Sequence, residues 1–435
     1  MKPVKAPDRG KRIEQGEEEM ELSLAGIRFR SPILVASSEC GSDVSFVERL
    51  TRTHVGAIVT KTFTSDPGHK IRVRPYQFPL RRLGRGYSHG DCLYSLAAPH
   101  VEDLEPWLAK VGRMAELCDR ESVVLVASFF EDPEAPEAWA ERARAFAAAG
   151  ARMLELNFSC PHVARTFSRG SEATEAILER VKATVSTPVG VKIGPALEPL
   201  ETIVARWEDL GLDFITAHNA PAGLVIDVEK EVPFGAPSLA GYAMGRAFLP
   251  YSLARVARIR RASSLPVIGV GGIGRAEDLI QYLLCGTPLA GLGSALYFHG
   301  PELIDRLYQG LRDWMDKKGY GAVEEFLGKV FPLIRDPASL GKKERYPHTL
   351  PPDCPYLPLV APDSCQRCGR CARACIYGAL SLDEETGALA IDGSRCWSCG
   401  FCVGLCPHGA LTLVDREKRE RIIWDNKGMA RSFDG

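Results

Sequence analysis

The chain has 435 residues, 45% hydrophobic and 25% charged, the make-up of an ordinary globular protein long enough for about two or three domains. Lys+Arg 54 against Asp+Glu 55 leave a formal net charge of −1, which excludes the basic footprint expected of a nucleic-acid binder. No run approaches the roughly 18 apolar residues of a membrane helix, and the charged stretch over 1–21 lacks the apolar region of a secretion signal.

From residue 22 onward, short apolar runs alternate with Ala-, Leu- and Glu-rich helical segments. The runs over 33–36, 57–60, 123–128, 153–156, 189–193, 214–217, 267–270 and 289–292 are predicted strands. Several are too apolar for a half-exposed strand and suit parallel strands covered on both faces. Helices are predicted over 136–149, 172–186 and 276–285. Strands alternating with helices over 22–335 predict an α/β fold, a (β/α)8 TIM barrel, with a doubly wound open sheet as the alternative. Prolines crowd 332–362, among them Pro337, Pro347, Pro351, Pro352, Pro355 and Pro358. Such a segment cannot be a long helix, so 336–362 is expected to be an extended connector. A small cysteine-rich domain is expected over 363–415, and the tail over 416–435 carries no readable pattern.

Function in a TIM barrel sits where the strands end. After the seventh predicted strand the sequence reads Gly269-Val270-Gly271-Gly272-Ile273-Gly274. This is literally G-x-G-x-x-G, but a dinucleotide site needs an acidic residue about 20 positions later, and PLAGLGSALY supplies none. With Gly293 and Ser294 after the eighth strand, these glycines instead form the usual phosphate grip of a barrel. Lys61 and Lys192 end two strands and would face the same mouth, where a cation stabilises negative charge.

Eight of the 14 cysteines fall into two runs of C-x2-C-x2-C-x3-C: Cys365, Cys368, Cys371, Cys375 and Cys396, Cys399, Cys402, Cys406. The flanks agree as well, since CQRCGRCARACIYGALSL repeats as CWSCGFCVGLCPHGALTL. This spacing resembles the two-cluster bacterial ferredoxins, in which the fourth cysteine of each run serves the other cluster. Cys365, Cys368, Cys371 and Cys406 are therefore expected to hold one [4Fe–4S] cluster, and Cys396, Cys399, Cys402 and Cys375 the other. Zinc favours separated pairs, and disulfides need an oxidising compartment. Clusters and free thiols suit a reducing cytoplasm. Ile376 stands where the motif usually has proline.

After the fourth predicted strand comes Glu155-Leu156-Asn157-Phe158-Ser159-Cys160-Pro161-His162. E-L-N-x-S-C-P resembles the signature of dihydroorotate dehydrogenases and of the flavin domain of dihydropyrimidine dehydrogenases, and His162 resembles the latter branch. The appended cysteine domain is similar to PreA-type subunits of bacterial dihydropyrimidine dehydrogenase. The resemblance implies FMN, with its phosphate on Gly271, Gly272, Gly293 and Ser294, and its ring and ribityl chain among Ala36, Ser37, Lys61, Asn157 and Lys192. Asn219 and Gly241 belong to the same match. It makes Cys160 the catalytic acid/base, with Lys61 assisting.

The pyrimidine-reading positions depart from that branch: Gly90, Cys92 and Tyr94 replace its Asn, Glu and Ile, and Ala220 its Thr. Lost hydrogen-bonding groups change which substrate a polar pocket accepts. Arg72, Arg74, Arg81, Arg82 and Arg85 crowd one region, as a solvated face or interface. The expectation is an FMN- and iron–sulfur-dependent oxidoreductase that interconverts a C–C single and double bond in a small cyclic substrate, of dihydropyrimidine dehydrogenase type. The alternatives are a dihydroorotate dehydrogenase fused to a ferredoxin, or an electron-transfer subunit of a larger complex. An FAD- and NAD(P)H-using flavoprotein or a ferredoxin is the expected partner, and a homodimer is compatible with the resemblance.

Overall fold

Eight short apolar segments close into a parallel barrel in the computed structural model, which describes residues 18–66, 68, 75–80, 92–159, 172–234, 241–336, 354–418 and 422–425. They are β1 (Ile33–Val35), β2 (Ala57–Val59), β3 (Val124–Phe129), β4 (Met153–Asn157), β5 (Val189–Lys192), β6 (Phe214–Ala217), β7 (Val267–Val270) and β8 (Leu289–Leu292), each buried along its length. Each pairs with its sequence neighbours, and β8 pairs with β1, so no edge is left and the open-sheet alternative is excluded. The chain divides into two compact units, Met1–Ile334 and Arg335–Gly435.

Alternation along the strands builds two cores. Leu34, Val124, Val126, Met153, Phe214 and Ile268 fill the barrel lumen. Ile33, Val35, Leu125, Leu154 and Val267 face the surrounding helices. The lumen is packed rather than open, as barrels of this size require. A Cβ on Gly190 of β5 would stand 2.2 Å from the Phe214 ring, so the large residue of β6 dictates the small one beside it. A hairpin absent from the predicted elements, Leu22–Leu24 with Ile27–Phe29, precedes β1 and adds Leu24 and Phe29 to the lumen. Its turn has positive φ at Ala25 and Gly26, the geometry that suits a two-residue hairpin.

The helices fall where the sequence places them. The observed spans are Pro136–Ala148, Glu172–Lys182 and Ala276–Cys285. The second stops short of its predicted end, ahead of Pro188, which cannot continue a helix. The third ends on left-handed Gly286, a common C-terminal cap.

The segments after β2 and β6 form a four-stranded sheet that the sequence reading does not contain. It joins Ala222–Gly223, Gly241–Gly245, Cys92–Ser95 and Gln77–Pro79 in that order. Tyr242 lies opposite Ser95, and Met244 opposite Leu93. Tyr94, Leu80 and Val225 pack together on this sheet with Phe78 and Phe234.

Where β6 ends, buried His218 braces the turn after β7. Its Nδ1 donates to the Asn219 carbonyl at 2.5 Å, and its Nε2 stands 3.1 Å from Ser252 Oγ. Tyr282 donates to the Gly271 carbonyl at 2.7 Å, and a Cβ on Gly271 would meet Ser252 Oγ at 2.4 Å. Burial pushes the His218 imidazole down from 6.5 to about 4, with Arg255 and Lys192 adding to the effect.

In the second unit Tyr356–Val360, Leu411–Asp415 and Ile422–Asp425 form an antiparallel sheet. Leu380–Leu382 pairs with Leu389–Ile391, and short helices span Arg370–Ala374 and Phe401–Leu405. Two expectations need correction. Part of the proline-rich connector is a strand: Pro358 sits on an edge strand, where its missing N–H is tolerated. The tail also contains a strand, Ile422–Asp425, recruited by pairing with Leu411–Asp415 rather than by any local pattern. Pro337, Pro347, Pro351 and Pro352 lie outside the described residues.

Two outcomes follow. Phe214 is completely buried, so Phe214→Ala should cost about 3–5 kcal/mol, read as a lower urea midpoint with little change in slope. His218 titrates lower in the folded chain than in the unfolded one, so stability is complete above pH 6.5 and is lost as pH falls toward 4. The loss is up to about 3 kcal/mol at ~1.36 kcal/mol per pH unit of displacement. Urea titrations across this range should be flatter for His218→Asn; an unchanged pH dependence would remove His218 as the cause.

Candidate active site

A closed barrel covered on both faces can carry polar side chains only where its strands run out. Thr62, just beyond β2, is the centre of a buried network there. Its Oγ1 lies 2.9 Å from Ser37 Oγ, 2.9 Å from Ser128 Oγ and 3.0 Å from Asn157 Nδ2. Ser128 donates to Glu155 Oε1 at 2.9 Å. Each hydroxyl has one proton, so Thr62 donates to Ser128 and accepts from Ser37 and Asn157. Asn157 Oδ1 in turn accepts from the Ser159 amide at 3.1 Å and from its hydroxyl. The network holds Ser37 and Asn157 in place at the mouth.

The two lysines differ. Lys61 Nζ forms a 3.0 Å ion pair with Glu39. Lys192 is buried, and burial lowers its pKa, while the charge of Glu155 opposes that shift and Lys61 adds to it. No hydrogen bond to Lys192 Nζ is recorded among the described residues. A buried ammonium in this position favours an anion.

Two adjoining cavities of about 110 and 100 Å3 open at this mouth. The first is lined by Lys61, Asn157, Ser95 and Tyr242; the second by Ala36, Gly271, Gly272, Gly293 and Ser294; Ser37, Lys192 and Asn219 border both. The structure therefore brings together every predicted flavin-site residue except Gly241, which starts the mouth strand opposite Gly223. Cys160, His162 and the loop after them lie outside the described residues, as do Gly90 and the five clustered arginines. No cysteine lines either cavity among the described residues.

The floor of the second cavity fits a phosphate-bearing cofactor. Gly271 and Gly272 have φ of 125° and 78°, conformations that side-chain-bearing residues avoid. A Cβ on Gly293 would meet nothing within 4 Å, so glycine there leaves the floor open.

Ser38, Tyr297, Ser95, Tyr242 and Met244 also line the cavities, and the sequence reading missed them as site residues. The last three belong to the mouth sheet, whose strands are too short and too far apart in sequence to show as a pair.

In the second unit the cysteines surround two cavities in a crossed pattern. Cys365, Cys368 and Cys406 line one, Cys375, Cys396, Cys399 and Cys402 line the other, and Cys371 borders both. Among the described residues no three Cys, His, Asp or Glu side chains close around a single ion.

Residues 125–315 match the family profile described as Dihydroorotate dehydrogenase, and residues 364–410 match the 4Fe-4S dicluster domain. The chain is 28% identical to the dihydroorotate dehydrogenase B (NAD(+)) catalytic subunit of Methanothermobacter thermautotrophicus, over 71% of this chain and 97% of the relative. It is 27% identical to dihydroorotate dehydrogenase A (fumarate) of Limosilactobacillus reuteri, over 70% of this chain and 96% of the relative. These relatives support the dihydroorotate alternative over the expected dihydropyrimidine type. No helix among the described residues is long and apolar enough to cross a membrane. The chain thus matches the dihydroorotate dehydrogenase family over 125–315 and a 4Fe-4S dicluster domain over 364–410, the combination of an oxidoreductase that acts on CH–CH groups.

Proposed function

We propose that the chain oxidises a small cyclic substrate of the dihydroorotate type at FMN and passes the electrons through two [4Fe–4S] clusters to a separate flavoprotein that carries FAD and uses NAD(P). The observation that carries this reading is the buried Lys192 ammonium beside a glycine-floored cavity at the barrel mouth. Eight cysteines around two cavities support a pair of clusters. The printed name of the Methanothermobacter relative, a catalytic subunit using NAD(+), supports the partner. Thiolate-held clusters suit a reducing cytoplasm.

Oxidising the ring's C–C single bond to a double bond removes one hydride from one carbon and one proton from its neighbour. FMN held by Ser37, Asn157, Lys192 and the glycine floor would supply a hydride acceptor that can also give up electrons one at a time. Lys192, with Lys61 near it, supplies positive charge where a reduced flavin becomes negative. Asn157 and Ser37, fixed through Thr62, orient polar groups at the mouth. By the sequence resemblance Cys160 exchanges the proton; a free thiol has a pKa of about 8.5, near enough to neutrality for either role. Ser95 and Tyr242 line the same cavity, on the side assigned here to the substrate.

The deciding experiment mixes anaerobic, flavin-loaded protein with dihydroorotate or dihydrouracil and follows flavin bleaching. Rapid bleaching by dihydroorotate supports the proposal. Bleaching by dihydrouracil alone transfers the enzyme to the pyrimidine branch, and bleaching by neither rejects both substrates. Lys192→Met should weaken FMN binding by about 10- to 150-fold, the equivalent of the ~1.5–3 kcal/mol of a charged hydrogen bond. Fluorescence titration of the apoprotein reads this, and its melting temperature should not fall, since a buried cation is removed. Cys160→Ala should keep its yellow FMN and lose most turnover; full activity would remove Cys160 from the mechanism.

A further inference from the structure

The two halves of the cysteine domain align residue for residue, yet they surround their cysteines with different chemistry. Gln366, Arg367, Arg370 and Arg373 of the first half stand where the second has Trp397, Ser398, Phe401 and Gly404. Three guanidinium groups are matched by none.

The fold keeps this difference at the two cavities. Arg367 lines the one formed by Cys365, Cys368, Cys371 and Cys406, together with Gln366 and His408. Its guanidinium is anchored on the Thr386 carbonyl at 2.7 Å. Arg373 donates to the carbonyl of Cys368 at 3.2 Å, which holds its charge at the rim. The other cavity, about 350 Å3, is walled by Ile376, Tyr377, Trp397, Phe401 and Leu413. Tyr377 and Trp397 stack there at 5.5 Å between centroids. A Cβ on Gly404 would lie 2.8 Å from the Trp424 ring, so the strand Ile422–Asp425 covers the place where Arg373's counterpart would begin. Arg395 brings a guanidinium over Gly378 on this side, but it also interacts with Asp392.

Hydrogen bonds to sulfur do not separate the two centres. Ala379 N–H donates to Cys375 Sγ and Ala410 N–H to Cys406 Sγ, each at 3.3 Å. In the crossed assignment these two bonds fall one to each centre. Charge and surroundings differ between them. Reduction by one electron makes a four-thiolate cluster one charge more negative. Nearby cations favour that state, and an apolar wall opposes it.

We propose that Arg367, Arg370 and Arg373 make the centre on Cys365, Cys368, Cys371 and Cys406 the higher-potential one, so that the first electron entering the domain resides there. The inference rests on the two-cluster reading above. The arginines are exposed and therefore partly screened by solvent and salt. The expected preference is at least about tenfold in electron occupancy, or ~59 mV for a one-electron couple.

The test is a potentiometric titration of the full chain, purified anaerobically, with cluster reduction followed by electron paramagnetic resonance and iron counted in the same sample. About eight irons per chain and two separated reduction steps are expected. The combined variant R367Q/R370Q/R373Q should lower the higher step toward the other, and Phe401→Arg should raise the lower one. About eight irons with a single step, or a gap that neither variant changes, overturns the proposal. About four irons in the unaltered chain overturns the two-cluster reading, and the proposal with it. If the triple variant fails to assemble, Arg367→Gln, at the residue that lines the cavity, and Phe401→Arg make the same measurement with one substitution each.

Discussion

Closing eight strands into a barrel leaves nowhere for a polar side chain except the rim. The lumen is filled by residues such as Leu34, Val126 and Phe214, and the outer faces by helices. Lys192, Asn157 and Ser128 can be polar because they stand at or near the ends of β5, β4 and β3. Even there each must be satisfied. Thr62 does this for Ser37, Asn157 and Ser128 at once, in a chain of donors running to Glu155. Lys192 stays outside that chain, with the charge of Glu155 opposing the effect of its burial. The site is complete as a scaffold and incomplete as an electrostatic system, which is the state expected of a pocket made for an anion.

The mouth is finished by residues far from the barrel strands. Cys92–Ser95 and Gly241–Gly245 meet above it, so that Ser95 and Tyr242 stand opposite each other and line the cavity that holds Lys61 and Asn157. In the proposed function the barrel supplies the cofactor side of the chemistry, and this sheet supplies groups for the substrate side. The division explains how a chain can keep flavin-site residues common to a family while its pyrimidine-reading positions change. The changed residues Cys92 and Tyr94 lie on the sheet, and altering them leaves the barrel untouched.

The second unit shows how a duplicated sequence becomes two unequal sites. Both halves keep the short helix after a left-handed glycine, Gly369 before Arg370–Ala374 and Gly400 before Phe401–Leu405, and both keep an amide on a cysteine sulfur. The added strand Ile422–Asp425 breaks the symmetry, since Trp424 covers the second helix alone. Repetition conserves the ligands, and the side chains between them are free to diverge.

Much of this was legible from sequence for a physical reason. Buried parallel strands announce themselves as apolar runs, so all eight barrel strands could be located, within a residue or so at their ends. Closely spaced cysteines carry their own geometry, and strand-end residues such as Ser37, Lys61, Lys192 and Gly271 follow once the strands are known. Pairings between distant, short or proline-bearing segments leave no such trace. The Leu22–Phe29 hairpin, the mouth sheet and the strands at Tyr356–Val360 and Ile422–Asp425 exist because tertiary partners satisfy their backbone groups. The sequence alone determined the barrel, the strand-end residues at its mouth and the doubled cysteine spacing, because each depends on residue type at regular spacing. Only the tertiary structure decided that Lys192 is buried while Lys61 is paired, that Ser95 and Tyr242 share the cavity, and that one cysteine cavity is cationic and the other apolar, because each depends on which distant segments meet.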